Sequence, residues 1–300
     1  MARSASPMPT AYLIDASPYI FRAYFSLPDS IRDPGGEPVQ AVHGFASFLI
    51  KLIADEQPSH LAVCFDRNLS SSFRNEYFPA YKAQRPQPPP ELERQLATCE
   101  ELAAALGAAT FIDDRYEADD LIGTLWVRLL DAGHGAVVVT SDKDLAQLVS
   151  DRVSLYDFGK GERFGPAEVR QKFGVAPEQI ADLLALAGDS VDNIPGVPGI
   201  GRKGAADLLG RFGSVEEIYR RLPEIPALAD LRGARALAEK LAAGRDSAFL
   251  SKRLAAVATD APIPPGLPDL EYRGAEAERI DLLFARLGWK SMRARIPRWR

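Results

Sequence analysis

The segment GAVVVTSD (residues 135–142) decides the fold, because it is a short apolar run that ends in an aspartate. Two earlier runs have the same form, AYLID (11–15) and HLAVCFD (60–66). Continuous runs of Val, Ile, Leu and Phe are typical of strands buried on both faces of a parallel sheet. Amphipathic segments lie between the runs, so the alternation predicts an α/β fold with helices flanking a mostly parallel sheet. In such sheets, ligands bind beyond the carboxyl ends of the strands, where these aspartates would lie.

The pattern becomes helical after about residue 170. Ser214 and Glu217 have the spacing of a capping box at the start of one helix. The span 234–257 is again predicted to be helical, and a proline-rich segment (261–270) leads to a last helix in 276–288. The chain of 300 residues therefore predicts an α/β unit followed by a smaller helical unit.

The composition is that of an ordinary globular protein, with 46% hydrophobic and 26% charged residues. No apolar run approaches the roughly 20 residues of a membrane span. Residues 1–9 have no apolar signal segment, and we expect them to be a flexible tail. Cys64 and Cys99, the two cysteines, fit a reducing cytoplasm.

Acidic residues recur in positions from which they could converge on one site. Taken alone, EADD (117–120) is explained by the preference of acids for helix N-termini, and SDKD (141–144) by a solvated loop. The recurrence at three strand ends and in three acidic clusters favours one shared site instead. The candidates number nine: Asp15, Asp66, Glu117, Asp119, Asp120, Asp142, Asp144, Asp189 and Asp192.

Crowded carboxylates repel one another, and a hard divalent cation relieves that repulsion by taking oxygen ligands. Two cations about 4 Å apart can clamp the attacking and leaving oxygens of a phosphoryl displacement. The acidic set therefore predicts phosphodiester hydrolysis. The net charge of −5 does not exclude a nucleic acid partner, because removing these nine carboxylates leaves +4 for the rest of the chain.

Two further segments suit a nucleic acid. The glycines of GVPGIGRKG (196–204) let backbone N–H groups approach phosphate closely, although a hairpin made only for helix packing would look the same. The segment 73–90 interleaves basic and aromatic residues, a pattern that suits single strands and also describes a helix with a solvated basic face. The candidate DNA contacts are Tyr19, Arg22, Arg74, Tyr81, Lys82, Arg85, Gly199, Gly201, Arg202 and Lys203, with a core role equally open for Tyr19.

Five ordered segments resemble the 5′→3′ exonuclease and flap endonuclease family. They are LIDASPYIFRAYF (13–25), FRNEYFPAYKAQRP (73–86), YEADDLIGTL (116–125), VVVTSDKDLAQLV (137–149) and GDSVDNIPGVPGIGRKGA (188–205). The likeness is to the bacterial type, which includes the N-terminal 5′-nuclease domains of DNA polymerases I, and it runs from about residue 10 to 295. Ala16 and Pro18 depart from the family pattern, which often has glycine and serine there.

The resemblance implies a PIN-like nuclease core at 10–170 with a helical arch near 70–100. It further implies a helix–three-turn–helix DNA-binding region at 171–260 and a C-terminal segment, 261–300, packed on the core. The implied activity is magnesium-dependent cleavage of DNA at 5′ ends and 5′ flaps in replication and repair, without sequence specificity. We expect a cytoplasmic, nucleoid-associated monomer.

By motif position, the first of two Mg²⁺ ions (with Mn²⁺ as a substitute) would bind Asp66, Glu117 and Asp119. Asp15 and Asp120 would lie close by, in metal-binding or catalytic roles. The second ion would lie among Asp142, Asp144, Asp189 and Asp192, and potassium would bind carbonyl oxygens of the 196–204 hairpin. Lys82 and Arg85 would neutralise charge on the scissile phosphate. The alternatives are a non-catalytic protein that binds branched DNA and a PIN-type ribonuclease.

Overall fold

A six-stranded sheet forms the centre of the molecule. The computed structural model describes residues 9–67, 72–231, 233–263 and 270–300, so the predicted tail lies outside the described residues apart from Pro9. The strand order is β3-β2-β1-β4-β5-β6. The bounds are β1 Thr10–Asp15, β2 His60–Asp66, β3 Ala109–Asp113, β4 Gly135–Val139, β5 Val153–Asp157 and β6 Glu162–Phe164. Strands β1 to β5 are parallel and β6 runs antiparallel to β5, which confirms the predicted mostly parallel sheet.

Strand β1 lies where the strand order reverses. It pairs with β2 on one side, with Asp15 opposite Cys64, and with β4 on the other, with Ile14 opposite Val139. The chain fills the sheet first on the β2 side and then on the β4 side, so the loops leave these strands in opposite directions. This arrangement opens a crevice at the carboxyl ends of β1 and β4, which is where α/β sheets bind ligands.

Helices cover both faces of the sheet. They are α1 Ser17–Ser26, α2 Gln40–Glu56, α3 Pro90–Ala105, α4 Ala118–Asp131, α5 Pro166–Phe173, α6 Ile180–Ala187, α7 Arg202–Phe212, α8 Val215–Arg220, α9 Ala234–Ala243, α10 Arg245–Ala255 and α11 Ala277–Leu287. Ile14 of β1 is buried among side chains of α1, α2, α3 and α11, while its neighbour Leu13 faces the core formed with α4 and α6. Burial on both faces explains why the strand sequences are uniformly apolar instead of alternating.

The structure adds two details to the predicted helical region after residue 175. Gly244 separates α9 from α10, and a Cβ atom there would lie 2.7 Å from Cγ1 of Val197, so the junction packs closely on the hairpin. Ser214 caps α8 by accepting a hydrogen bond from the Glu217 N–H at 3.2 Å. The Glu217 carboxylate pairs with Arg220 instead of accepting a hydrogen bond from the backbone N–H of Ser214, so the second bond of the capping box is not formed.

The segment 73–90 contains little helix. A 3₁₀ turn covers Phe73–Glu76, turns continue to 85, and α3 begins at Pro90. Residues 68–71, and residues 264–269 of the proline-rich segment, lie outside the described residues. The predicted domain boundaries and the arch remain predictions.

Candidate active site

Four of the predicted metal ligands line one open cleft of about 330 Å³, next to the carboxyl ends of β1 and β4. They are Asp142, Asp144, Asp189 and Asp192. The basic side chains of Arg85, Lys143 and Arg202 line the same cleft. The cleft therefore combines oxygen ligands for a cation with positive groups that could attract an anion.

Asp142 and Asp144 lie on a turn that follows β4. Strand β4 ends at Val139, three residues before Asp142, and a 3₁₀ turn begins at Asp144. The Asp142 N–H donates to Oγ1 of Thr140 at 2.9 Å, and the Asp144 N–H donates to Oδ1 of Asp142 at 2.9 Å. These bonds close the chain into a turn at the carboxyl end of β4.

Asp189 and Asp192 lie on a tight loop between α6 and α7. Two backbone hydrogen bonds, of 2.9 and 2.7 Å, join Asp189 to Ile194 and close the loop. Oδ1 of Asp189 accepts the Val191 N–H at 2.6 Å, and Oδ2 lies 3.6 Å from Arg202. The loop therefore holds both carboxylates beside the turn after β4.

Asp15, Asp66 and Asp119 form a deeper acidic group next to the cleft. Oδ2 of Asp15 accepts a hydrogen bond from Oγ1 of Thr140 at 2.8 Å. Asp66 accepts one from Oγ of Ser17 at 2.5 Å and one from the N–H of Ala118 at 2.8 Å, which links β2 to the first turn of α4. The side-chain carboxylate of Asp119 accepts no hydrogen bond within the described ranges.

Burial and mutual repulsion perturb these carboxyl groups. Burial raises the pKa of Asp15 well above its usual range, and among the charged neighbours Asp66 contributes most to this shift. Burial and the charges of Asp142 and Asp15 do the same for the pKa of Asp119. In the cleft, burial and Asp142 raise the pKa of Asp144 to about 7. The protein thus holds more negative charge than its own cations balance, which is the state that a bound cation would relieve.

Glu117 is the exception among the acids, because two cations hold it ionised. It caps α4, and its Oε1 lies 2.6 Å from Nζ of Lys82 while its Oε2 lies 3.0 Å from Nη1 of Arg74. Burial would raise the pKa of Glu117, but Lys82 and Arg74 bring it below the usual value. Arg85 pairs in the same way with Asp192, at 2.5 Å. The two predicted catalytic cations therefore already face the acids.

Lys82 reaches this position from an uncommon backbone conformation. Its φ is 53°, in the left-handed region, and its N–H donates to the carbonyl of Asp192 at 3.1 Å. A non-glycine residue held in this region costs on the order of 1 kcal/mol and is often found at functional sites. Here the conformation docks the 80–85 turn onto the acidic loop and turns the ammonium toward Glu117.

Asp120 and Arg74 form a buried pair apart from the cleft, and the structure gives both a different position from the predicted one. Asp120 is 0% exposed, and each of its oxygens lies 2.8 Å from a terminal nitrogen of Arg74. The other N–H groups of Arg74 donate to Glu117 and to the carbonyls of Leu254 and Ala256, so all five donors are used. In this position Asp120 has no oxygen directed at a metal, and Arg74 has none of its donors available for DNA.

The other predicted DNA contacts divide into buried and exposed groups. Tyr19 stacks on Phe48 with ring centroids 3.8 Å apart, and Tyr81 is 3% exposed with its hydroxyl on Glu117. Arg22 is exposed, as are four residues of the hairpin: Gly199, Gly201, Arg202 and Lys203. The position of Tyr19 favours its alternative role in the core, whereas the hairpin residues are accessible to a duplex.

The 196–204 hairpin is held by polar side chains of α9 and α10 that sequence reasoning missed. The hydroxyl of Ser247 donates to the carbonyl of Gly196 at 2.6 Å, and the hydroxyl of the buried Ser251 accepts the N–H of Gly196 at 2.9 Å. Nζ of Lys240 donates to the carbonyl of Gly199 at 3.2 Å. Their only sequence signal was helical periodicity, which does not reveal long-range partners.

Ser17 and Thr140 were missed as well, although a signal existed. Each is a hydroxyl residue within two positions of a predicted ligand, Asp15 or Asp142. In the structure they bond the Asp66 and Asp15 carboxylates and so fix the orientation of both. A hydroxyl near a strand-end aspartate could have been recognised as a partner that orients a ligand.

The chemistry of the acidic set fits magnesium, although its side chains are not arranged as a finished site. Across residues 9–67, 72–231, 233–263 and 270–300, no three Asp, Glu, His or Cys side chains already form a metal-binding group. Protein hydroxyls, Lys82 and Arg85 occupy several of the carboxylate oxygens. The excess of oxygen ligands, the burial and the unbalanced negative charge are the features that a hard cation requires.

Solved structures of 5′-nucleases share this fold. Bacteriophage T5 5′-exonuclease with bound zinc matches with a TM-score of 0.68 and 23% identity, over 93% of this chain and 98% of the other. The T5 flap endonuclease in a complex with DNA and metal ions matches with a TM-score of 0.66 and 22% identity, over 96% of each chain. The catalytic core of Rad2 with a DNA substrate has a TM-score of 0.59 and 16% identity, over 98% and 92%. At these identities, the likeness confirms the fold alone, a PIN-like core with a mostly parallel sheet and a helical subdomain.

Relatives of known sequence are bacterial DNA polymerases I. That of Bacillus caldotenax is 42% identical over 283 residues, which are 93% of this chain and 31% of the relative. That of Pseudomonas aeruginosa is 40% identical over 280 residues, 93% of this chain and 30% of the relative. The chain thus spans about a third of the length of the curated relatives it matches.

Two family models cover most of the chain. Residues 10–174 match the 5′–3′ exonuclease N-terminal resolvase-like domain, and residues 175–278 match the 5′–3′ exonuclease C-terminal SAM fold. The first match alone covers more than half of the 300 residues. The ordered motifs, the acidic crevice at the strand ends and these matches agree, and the chain belongs to the 5′–3′ exonuclease family.

Proposed function

We propose that the protein is a magnesium-dependent DNA 5′-nuclease that acts as a 5′→3′ exonuclease and a 5′-flap endonuclease in replication and repair. The observation that carries the proposal is the meeting of two acidic groups with two buried or half-buried cations at one crevice. Such a combination suits a phosphodiester, because the acids would hold metal and the cations would bind the phosphate. We expect DNA binding without sequence preference, by a monomer associated with the nucleoid.

Asp15, Asp66, Glu117 and Asp119 would hold one Mg²⁺, and Asp142, Asp144, Asp189 and Asp192 a second, with Mn²⁺ as a substitute. When bound, the metal pair supplies charge stabilisation and an activated water for in-line attack on phosphorus. Asp120 is left out of the ligand set because Arg74 occupies both of its oxygens.

Lys82 and Arg85 would act on the phosphate once metal has neutralised the acids. Lys82 now bonds Glu117, and Arg85 bonds Asp192. With Glu117 and Asp192 engaged by a cation, Lys82 and Arg85 would be held less tightly and would be able to turn toward a phosphate in the cleft. Their benefit would be largest where negative charge develops in the transition state.

Cleavage of a labelled 5′-flap DNA over a magnesium titration tests the proposal. We expect metal-dependent cutting by the native chain and its loss in the Asp142→Ala/Asp144→Ala double variant. Asp151→Ala is the matched control, since Asp151 is an exposed acid just before β5 and should leave cutting unchanged. Tight binding without cutting at any magnesium concentration would indicate the non-catalytic DNA-binding protein. Cutting confined to RNA strands would indicate the ribonuclease.

A further inference from the structure

We propose that the ammonium group of Lys240 is the cation of the 196–204 hairpin and binds a DNA phosphate there, in the place predicted for potassium. The inference rests on the proposed function, because it assumes that the hairpin contacts a duplex. It adds one phosphate contact on α9, far from the hairpin in sequence. It also removes an expected dependence on a monovalent ion.

The side chain of Lys240 lies on the face of Gly199 that a side chain would otherwise occupy. A Cβ atom at Gly199 would lie 3.0 Å from Nζ, 3.2 Å from Cε and 3.4 Å from Cδ of Lys240. Gly199 also has a φ of 80°, which glycine adopts without strain. The glycine therefore serves both the turn and the lysine, whose ammonium donates to the Gly199 carbonyl at 3.2 Å.

The two helices that carry and adjoin Lys240 are fixed on the hairpin, so this contact does not depend on a mobile surface. Gly244, at the junction of α9 and α10, packs against Val197. Ser247 and Ser251 then bond both backbone groups of Gly196. Lys240 lies one turn before this junction, where its position relative to the hairpin is set by packing.

The charge of Lys240 remains available to a ligand. Within the described part of the chain it forms no ion pair, whereas the ammonium of Lys252 on the neighbouring helix is held by Asp182 and Glu216. An ammonium has three donors, and the Gly199 carbonyl accepts one of them. The side chain of Lys240 is exposed, so its remaining donors are accessible to a phosphate at the hairpin.

A potassium ion fits this hairpin poorly. The carbonyls of Gly196, Val197 and Gly201 already accept hydrogen bonds from Ser247, Ile200 and Ala205. The Gly199 carbonyl faces the ammonium, and a potassium ion on that oxygen would lie beside a like charge. The tethered ammonium offers the same charge without the cost of capturing an ion.

Binding of a fluorescent 5′-flap duplex, measured by anisotropy in EDTA, tests the inference. The native chain should bind equally in KCl and NaCl at matched ionic strength. Lys240→Met should bind more weakly, and its slope of log affinity against log salt should fall by about 0.9, the value for one lost phosphate contact. Lys240→Arg should keep the slope, and Lys290→Met, the loss of an exposed lysine near the C-terminus, is the matched control.

Each other outcome overturns the inference in a recognisable way. Native binding that is stronger in KCl than in NaCl would show that the hairpin binds potassium. An unchanged slope for Lys240→Met, with native binding intact, would remove Lys240 from the interface and leave the proposed function standing. A native chain that fails to bind the duplex at all would overturn both the role of Lys240 and the proposed function.

Discussion

Arg74→Met should destabilise the protein strongly, because the guanidinium is buried and uses all five of its N–H donors. The change leaves Asp120, at 0% exposure, with the backbone N–H groups of Glu117 and Ala258 as its partners. It also leaves the carbonyls of Leu254, in the last turn of α10, and Ala256, just after it, without the donors that Arg74 supplies. Removing one partner of a buried ion pair costs about 3–5 kcal/mol.

Urea unfolding followed by tryptophan fluorescence measures this loss. We expect Asp120→Leu alone to be similarly destabilising. The Arg74→Met/Asp120→Leu double variant should lose less than the sum of the two, with a coupling of about 1–3 kcal/mol, because neither charge is then left unpaired. Arg115→Met is the control, since its ion pair with Glu76 lies on the surface and should contribute little.

The opposite result would be informative about DNA binding. A loss below about 1 kcal/mol for Arg74→Met would contradict the buried position, given the 3–5 kcal/mol expected for such a pair. If DNA affinity fell while stability stayed constant, Arg74 would be the DNA contact predicted from the sequence.

Three further predictions concern the acids and cations of the site. Lys82→Ala should lower the turnover number more than flap-DNA affinity, because its phosphate contact strengthens at the transition state; equal losses in the two measurements would contradict that role. Lys203→Ala should weaken duplex binding and flatten its salt dependence, measured as the slope of affinity against salt, and an unchanged slope would exclude the residue from the interface. Asp144→Asn should stabilise the metal-free protein increasingly as pH rises from 5 to 8 in thermal melts. The pKa of Asp144 is raised from 3.8 unfolded to about 7 folded, so the stability due to its protonated form is complete below pH 3.8 and lost as pH rises through 7. A constant difference between the melts would show that Asp144 is not crowded by the other acids.

The sheet was predictable because strands buried on both faces have continuously apolar sequences. AYLID and HLAVCFD became β1 and β2, and their terminal aspartates came to one edge because the strands are parallel. Strands β3, β5 and β6 were not predicted, and β6, with only the three residues Glu162–Phe164, is too short to show a period. The apolar run 135–142 extends past the end of β4 at Val139, because the hydroxyl of Thr140 accepts the Asp142 N–H and stabilises a turn that hydrophobicity does not reveal.

The acidic set was predictable, whereas the partners of its members were not. Asp119 and Asp120 are adjacent and identical in type, yet one faces the other acids and one is locked to Arg74. The difference depends on the helical phase of α4 and on carbonyls 180 residues beyond Arg74. Such pairings exist only in the folded chain, so the sequence could not divide ligands from structural acids.

The loop that carries Asp189 and Asp192 also has a bearing on how the protein is made. These acids complete the cleft, but they follow Asp15 by more than 170 residues. A chain still emerging from the ribosome therefore lacks two of the four cleft carboxylates until residue 192 has been synthesised. The order of the residues along the chain thus delays the assembly of the cleft.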